Sequence, residues 1–86
     1  MDRIIIRGEP TSPFQYIYVY VNGERVERLG VLMENLEDIV FALLKKYNIN
    51  HIDLSGPRDY TTGIERILSN PQSIDYEYAN ITFKYV

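Results

Sequence analysis

Few residues in this chain have types suited to covalent chemistry. His51 is the single histidine, and no serine or second ligand stands at a spacing that would make a triad or a histidine metal site. Cysteine is absent, which removes thiol nucleophiles, thiolate zinc sites and disulfides. Asp53, Glu37 and Asp38 could supply part of a two-metal hydrolytic set. Such a set needs a further acid, and the first apolar run, RIIIR (3–7), contains none, with Asp2 lying before it. The glycines form neither GxGxxG nor a P-loop. No catalytic residue, metal site or cofactor is therefore expected.

Binding chemistry is better represented. In QYIYVYVNG (15–23), Tyr16, Tyr18 and Tyr20 occupy alternate positions, so their rings line one side of a strand. Such a row can stack on bases, with Arg25 and nearby Arg3 or Arg7 on phosphates, or it can be the wall of a folded sheet. A second candidate is Ser55, Gly56, Pro57, Arg58, Asp59, Tyr60 and Thr61. A strand ending in Ser-Gly-Pro and entering a helix can offer backbone N–H groups to an anion. The alternative is a tight turn shaped by Gly56 and Pro57, with Asp59 as the helix cap.

The elements that must position these residues follow from periodicity. RIIIR ending at Gly8 reads as a buried strand, GEPTSP (8–13) as a loop, and 14–21 as a second strand. Asn22 and Gly23 suit a two-residue type I′ turn, which returns a third strand over 24–30. In that register Tyr20 faces Arg25, Val19 faces Val26, Tyr18 faces Glu27 and Tyr16 faces Leu29. The tyrosines would then share their side with Arg25, Glu27 and Leu29. Leu32, Leu36, Ile39, Val40, Leu43, Leu44 and Tyr47 recur at three- and four-residue steps and predict a helix over 32–47. HIDLSG (51–56) reads as a fourth strand, 59–69 as a second helix, and ITFKYV (81–86), beginning as early as Glu77, as a last strand. The acidic stretch SIDYEYAN (73–80) alternates Tyr76 and Tyr78 and suits a basic protein surface.

The order β-β-β-α-β-α-β predicts a single α/β domain, at the α+β boundary, with a five-stranded mixed sheet. It resembles a minimal ribonuclease H-like (also actin-like) domain, with strand order 3-2-1-4-5; a different mixed sheet, with the first strand placed elsewhere, is the alternative. Two crossovers running in opposite directions would set a helix on each face, one of them over part of the tyrosine row. The stretch IDLSGPRDYTTGIERIL (52–68) also resembles the Gly-Pro-x-x-aromatic-Thr-Gly loop of the actin-like subunits in bacterial tRNA threonylcarbamoyladenosine synthesis. Gly56, Pro57, Tyr60 and Thr61 match its positions; Arg58 and Asp59 replace small residues, and Thr62 intervenes before Gly63. In that family the subunit carrying this loop is a non-catalytic partner, so the resemblance implies interaction rather than activity. In general style the chain is similar to accessory proteins of bacteriophages and mobile elements.

Composition narrows the partners. Of 86 residues 45% are hydrophobic and 13% aromatic, which argues for one folded domain and against disorder. Nine basic against twelve acidic residues leave a net charge of −3, which weakens a general nucleic-acid binder and leaves only a local patch of Arg3, Arg7, Arg25 and Arg28 in the first third of the chain. No apolar run spans a membrane, the first residues lack a secretory signal, and the chain reads as mature and cytoplasmic. The leading expectation is a non-enzymatic interaction protein that binds a protein partner or itself, as a homodimer through its last strand. A single-stranded nucleic-acid binder using the Tyr/Arg side is the alternative, and a degenerate metal-dependent nuclease the third.

Overall fold

The computed structural model describes residues 2–9, 11–70 and 80–86. The elements run β1 (Arg3–Gly8), β2 (Phe14–Val21), β3 (Glu24–Leu32), α1 (Met33–Tyr47), β4 (His51–Ser55), α2 (Arg58–Ser69) and β5 (Thr82–Tyr85). The strands form one mixed sheet in the order β3-β2-β1-β4-β5. β1 is antiparallel to β2 and β2 to β3, whereas β4 runs parallel to both β1 and β5. Element order and strand order are those expected from the sequence, and β5 lies at a sheet edge. The stretch 73–80 lies almost wholly outside the described residues.

The two faces differ in what covers them. Ile4 and Ile6 of β1, Ile17 and Val19 of β2, and Ile52 and Leu54 of β4 are fully buried and share one face by register. On them pack Leu36, Val40, Phe41 and Leu44 of α1 with Ile64 and Leu68 of α2. Tyr47 of α1 hydrogen-bonds Glu27 of β3, and Tyr85 of β5 donates to Glu65 of α2 at 2.7 Å. Glu27 lies beside Val19 in the ladder, and Tyr85 beside Leu54, so both contacts belong to this face.

Both helices therefore sit on one side, which corrects the expectation of a helix on each face. The reason is directional. β3, β4 and β5 all point the same way, and the crossovers β3-α1-β4 and β4-α2-β5 both run toward β5. Crossovers of one hand that travel in one direction put their helices on one face.

The turn is as expected, with Asn22 at φ 54° and Gly23 at φ 80°, but the register beyond it is not. Tyr20 does face Arg25; Val19 faces Glu27, Tyr18 faces Arg28, Ile17 faces Leu29 and Tyr16 faces Gly30. Val26 is the extra residue of a β-bulge, half-exposed and without a partner across the ladder. From that point every side chain of β3 lies on the face opposite to the one expected, because side chains alternate along a strand. Glu27 and Leu29 turn to the helices, and Arg28 and Gly30 join the tyrosines.

Candidate nucleic-acid interface

The face opposite the helices is built on β2. Phe14, Tyr16, Tyr18 and Tyr20 stand on it in a row, the tyrosines half-buried by their neighbours and Phe14 exposed. Register places Arg3, Ile5 and Arg7 of β1 along one side of the row. Arg25, Arg28 and Gly30 of β3 flank the other. Beyond β1 lie Asp53 and Ser55 of β4, then Lys84 of β5. The face thus carries Arg3, Arg7, Arg25, Arg28 and Lys84, five of the chain's nine cationic side chains, and against them stand the carboxylates of Asp53 and of Glu9, the latter paired with Arg7. Among the described residues no helix lies on it.

Two of the cations, Arg3 and Arg7, are held in place. The Arg3 guanidinium lies 4.8 Å from the centroid of the Tyr20 ring and its Nε is 3.2 Å from Asp53 Oδ2. The other oxygen of Asp53 accepts from His51 Nε2 at 2.9 Å. An ionised carboxylate only accepts, so Nε2 carries the proton in this contact. Asp53 is 7% exposed, and its two partners are what make that burial tolerable. Arg7 pairs with Glu9 at 2.6 Å; that hydrogen bond, with the neighbouring Tyr18, holds the guanidinium above its ordinary value. At the end of the row, Ser12 Oγ lies 3.4 Å from the Tyr16 hydroxyl.

The second candidate stretch meets this face only at Ser55, which lies beside Arg7. Gly56 takes φ 137°, with the carbonyl of Gly8 3.0 Å from where a Cβ would stand, so glycine is required there. Pro57 occupies the N-cap position of α2, and no side chain caps the helix. Asp59 lies inside the first turn, which corrects its expected role as cap. Thr61 is buried; its N–H bonds the Pro57 carbonyl at 3.0 Å and its hydroxyl donates to Arg58 O at 3.1 Å. The Arg58 guanidinium lies 4.0 Å from the centroid of the Tyr85 ring.

Tyr60 lays its ring against Gly8, at a spot where any Cβ on residue 8 would overlap the ring. Its hydroxyl is buried, with no hydrogen-bond partner among the described residues, and burial pushes its pKa up to about 12. Gly8, Glu9, Pro57, Asp59 and Tyr60 line a small pocket of about 230 Å³ there. These residues mainly seat α2 on the sheet.

The carboxylates considered for hydrolysis do not converge. Asp53 faces away from the helices, whereas Glu37 and Asp38 belong to α1 on the other side of the sheet. Among the described residues no group of three or more His, Cys, Asp or Glu is placed to hold a metal ion.

Sequence reasoning found Tyr16, Tyr18, Tyr20, Arg25, Arg3 and Arg7, and the structure brings all six together. Lys84 and Phe14 were missed as members of this face, and Arg28 was counted in the local patch of arginines but not placed beside the tyrosines. Lys84 alternates with Phe83 and Tyr85, and Phe14 lies two before Tyr16, so strand parity could have found both. Arg28 is hidden from parity by the bulge. Among the described residues no helix is long and apolar enough to cross a membrane. Comparison with protein-family models, curated proteins and solved structures found no match for the chain.

Proposed function

We propose that this protein binds single-stranded nucleic acid on the open face of its sheet, with Tyr16, Tyr18 and Tyr20 as stacking rings and Arg3, Arg7, Arg25 and Arg28 on the phosphates. The observation that carries this is the sorting of charge: among the described residues five cations and two carboxylates, Asp53 and the Glu9 that pairs with Arg7, meet on the open face of a chain whose net charge is −3. A sequence-independent polyanion contact needs such a local patch and not a basic chain.

Spacing supports a single strand over a duplex. Alternate residues of a strand stand roughly 6.6–6.8 Å apart, about twice the 3.4 Å step of one strand in a duplex. Bases seated on neighbouring tyrosines are therefore unstacked from one another, as bases of an extended single strand are. Tyr and Arg also enrich protein interfaces, and binding of a protein partner or of a second copy is the second reading. The expected ribonuclease H-like fold is part of the proposal, supported by the element order and by the 3-2-1-4-5 sheet. So are a non-catalytic role, a place in the cytoplasm, and the accessory-protein style.

Fluorescence anisotropy of labelled oligonucleotides tests it. Log affinity should fall linearly with log salt, by about 0.7 per phosphate contacted. Tyr18→Ala should cost about 1–3 kcal/mol of binding. Absence of salt-sensitive binding, or a Tyr18→Ala variant that binds as well as the parent, rejects the reading.

A further inference from the structure

The two edges of the sheet are unequal: β5 offers four residues and β3 nine. Along β3 the edge divides in two. The half nearest the turn carries Glu24, Arg25, Glu27 and Arg28 together with the bulge at Val26. Charges and bulges are the devices that keep an edge from pairing with another chain. The half from Leu29 to Leu32 has no charge, no proline and no bulge. Apolar exposure gathers at this unguarded half. Phe14, 41% exposed, and Leu32, 36% exposed, stand opposite each other in the ladder, and Met33 follows at 42%. A groove of about 420 Å³ lined by Phe14, Gly30, Leu32, Asn35 and Ile39 runs beside them. Among the described residues, nothing pairs with this length of strand on its outer side.

We infer that a second copy of the chain pairs here, β3 antiparallel to β3, about a two-fold axis at Gly30. Directly opposite residues of an antiparallel pair share a face, so the axis of a symmetric pair passes through a residue. At Gly30 it sets Leu29 opposite Val31, Gly30 opposite its own copy and Arg28 opposite Leu32. No like charges meet, and the methylene stem of Arg28 lies on Leu32 with its guanidinium left at the surface. This axis alone uses the whole regular stretch from Arg28 to Leu32. One residue nearer the turn, it sets Leu32 opposite the bulged Val26; one residue further, it sets Leu29 opposite Met33, where α1 has begun. Gly30 suits the axis for a second reason. The Tyr16 ring lies 3.8 Å from where a Cβ of Gly30 would stand, so in the pair each glycine is covered by an aromatic ring of its own chain. The contact is self-complementary and consumes the edge, so it closes at two chains. It moves the homodimer expected at the last strand to the opposite edge, and it does not depend on what the open face binds. It joins two open faces into one, with the tyrosine rows three strand spacings, roughly 14–15 Å, apart.

Sedimentation equilibrium of the full chain, without nucleic acid and over a concentration series, tests this. The mass should rise from 10.1 kDa toward twice that value. Two variants then probe the register. Leu32→Lys sets an ammonium opposite Arg28 of the second copy, and Leu32→Glu sets a carboxylate there. Both remove the same exposed apolar side chain, so its loss is common to them, and each charge pair occurs twice in the dimer. The dissociation constant of Leu32→Lys should exceed that of Leu32→Glu by at least about tenfold. A chain that stays at 10.1 kDa up to its highest soluble concentration overturns the inference and leaves this edge to an extended segment of another protein. A dimer that Leu32→Lys and Leu32→Glu shift equally, or leave unshifted, overturns it too, because Arg28 and Leu32 are then not opposed.

Discussion

Tyr60 shows how one residue can be picked out correctly and still be read for the wrong reason. Its place in a Gly-Pro-x-x-Tyr-Thr stretch suggests a ligand loop. Folded, it is the plug between α2 and the end of β1, its ring on Gly8 and its hydroxyl buried with no partner among the described residues. An unpartnered buried hydroxyl loses its hydration with nothing in return, so Tyr60→Phe should raise stability by about 1 kcal/mol in thermal or urea unfolding. A substantial loss on that change would mean that the hydroxyl does useful bonding. The same burial predicts a pH effect. The folded-state pKa of about 12 lies above the value near 10 of an unfolded tyrosine, so the unfolded chain releases this proton first. Stability is fully present below about pH 10 and declines as pH climbs toward 12. Tyr60→Phe should make that alkaline decline shallower, leaving the part due to Tyr47 and Tyr85, whose pKa values are raised chiefly by hydrogen bonds to Glu27 and Glu65.

At the level of the element, β3 is where sequence reasoning was both strongest and most misleading. Asn22 and Gly23 are the residues a two-residue turn demands, and the turn forms. Val26 then adds one residue that no local preference announces, and the rest of the strand exchanges faces. The exchange is favoured by what each face offers. Leu29 and Val31 gain the core, and Glu27 gains the Tyr47 hydroxyl and Lys46 Nζ, the latter at 3.0 Å. Those bonds, Tyr47 first, hold the Glu27 carboxyl below its ordinary value of 4.5. A depressed carboxylate contributes stability that is present above the unfolded value and lost as pH falls through the folded one. Glu27→Gln should therefore flatten the acid limb of the stability profile below about pH 4.5 and cost a modest amount at neutral pH, since the group is partly exposed. An unchanged acid limb would show that the contact carries no weight.

Across the whole molecule, the sheet separates two environments that the net charge averages away. Among the described residues, the helix side holds the core and most of the acids, and the other side holds the row of Phe14, Tyr16, Tyr18 and Tyr20 and most of the cations. This predicts that charge reversal matters by place and not by sum. Arg28→Glu and Lys45→Glu change net charge equally, yet Lys45 lies exposed on α1 across the sheet. Arg28→Glu should weaken oligonucleotide binding at least about tenfold and lower the salt slope by about 1, with Lys45→Glu within about twofold of the parent. Equal effects would point to a diffuse field and against a defined face.

Much of this organisation was written locally. Alternation in Ile4, Ile6, Ile17 and Val19, the helical stripe from Leu36 to Leu44, and the Asn22–Gly23 turn identify the elements and their order, because each depends on residues a few positions apart. The row of tyrosines was equally legible. Which residues stand around that row was not, because it depends on a one-residue bulge, settled by how the strands and helices bury apolar surface together. The order 3-2-1-4-5 already implies that both crossovers run one way and that both helices share one face. Only the assembled sheet decided the bulge at Val26, which sets Arg28 and Gly30 beside Tyr18 and Tyr16.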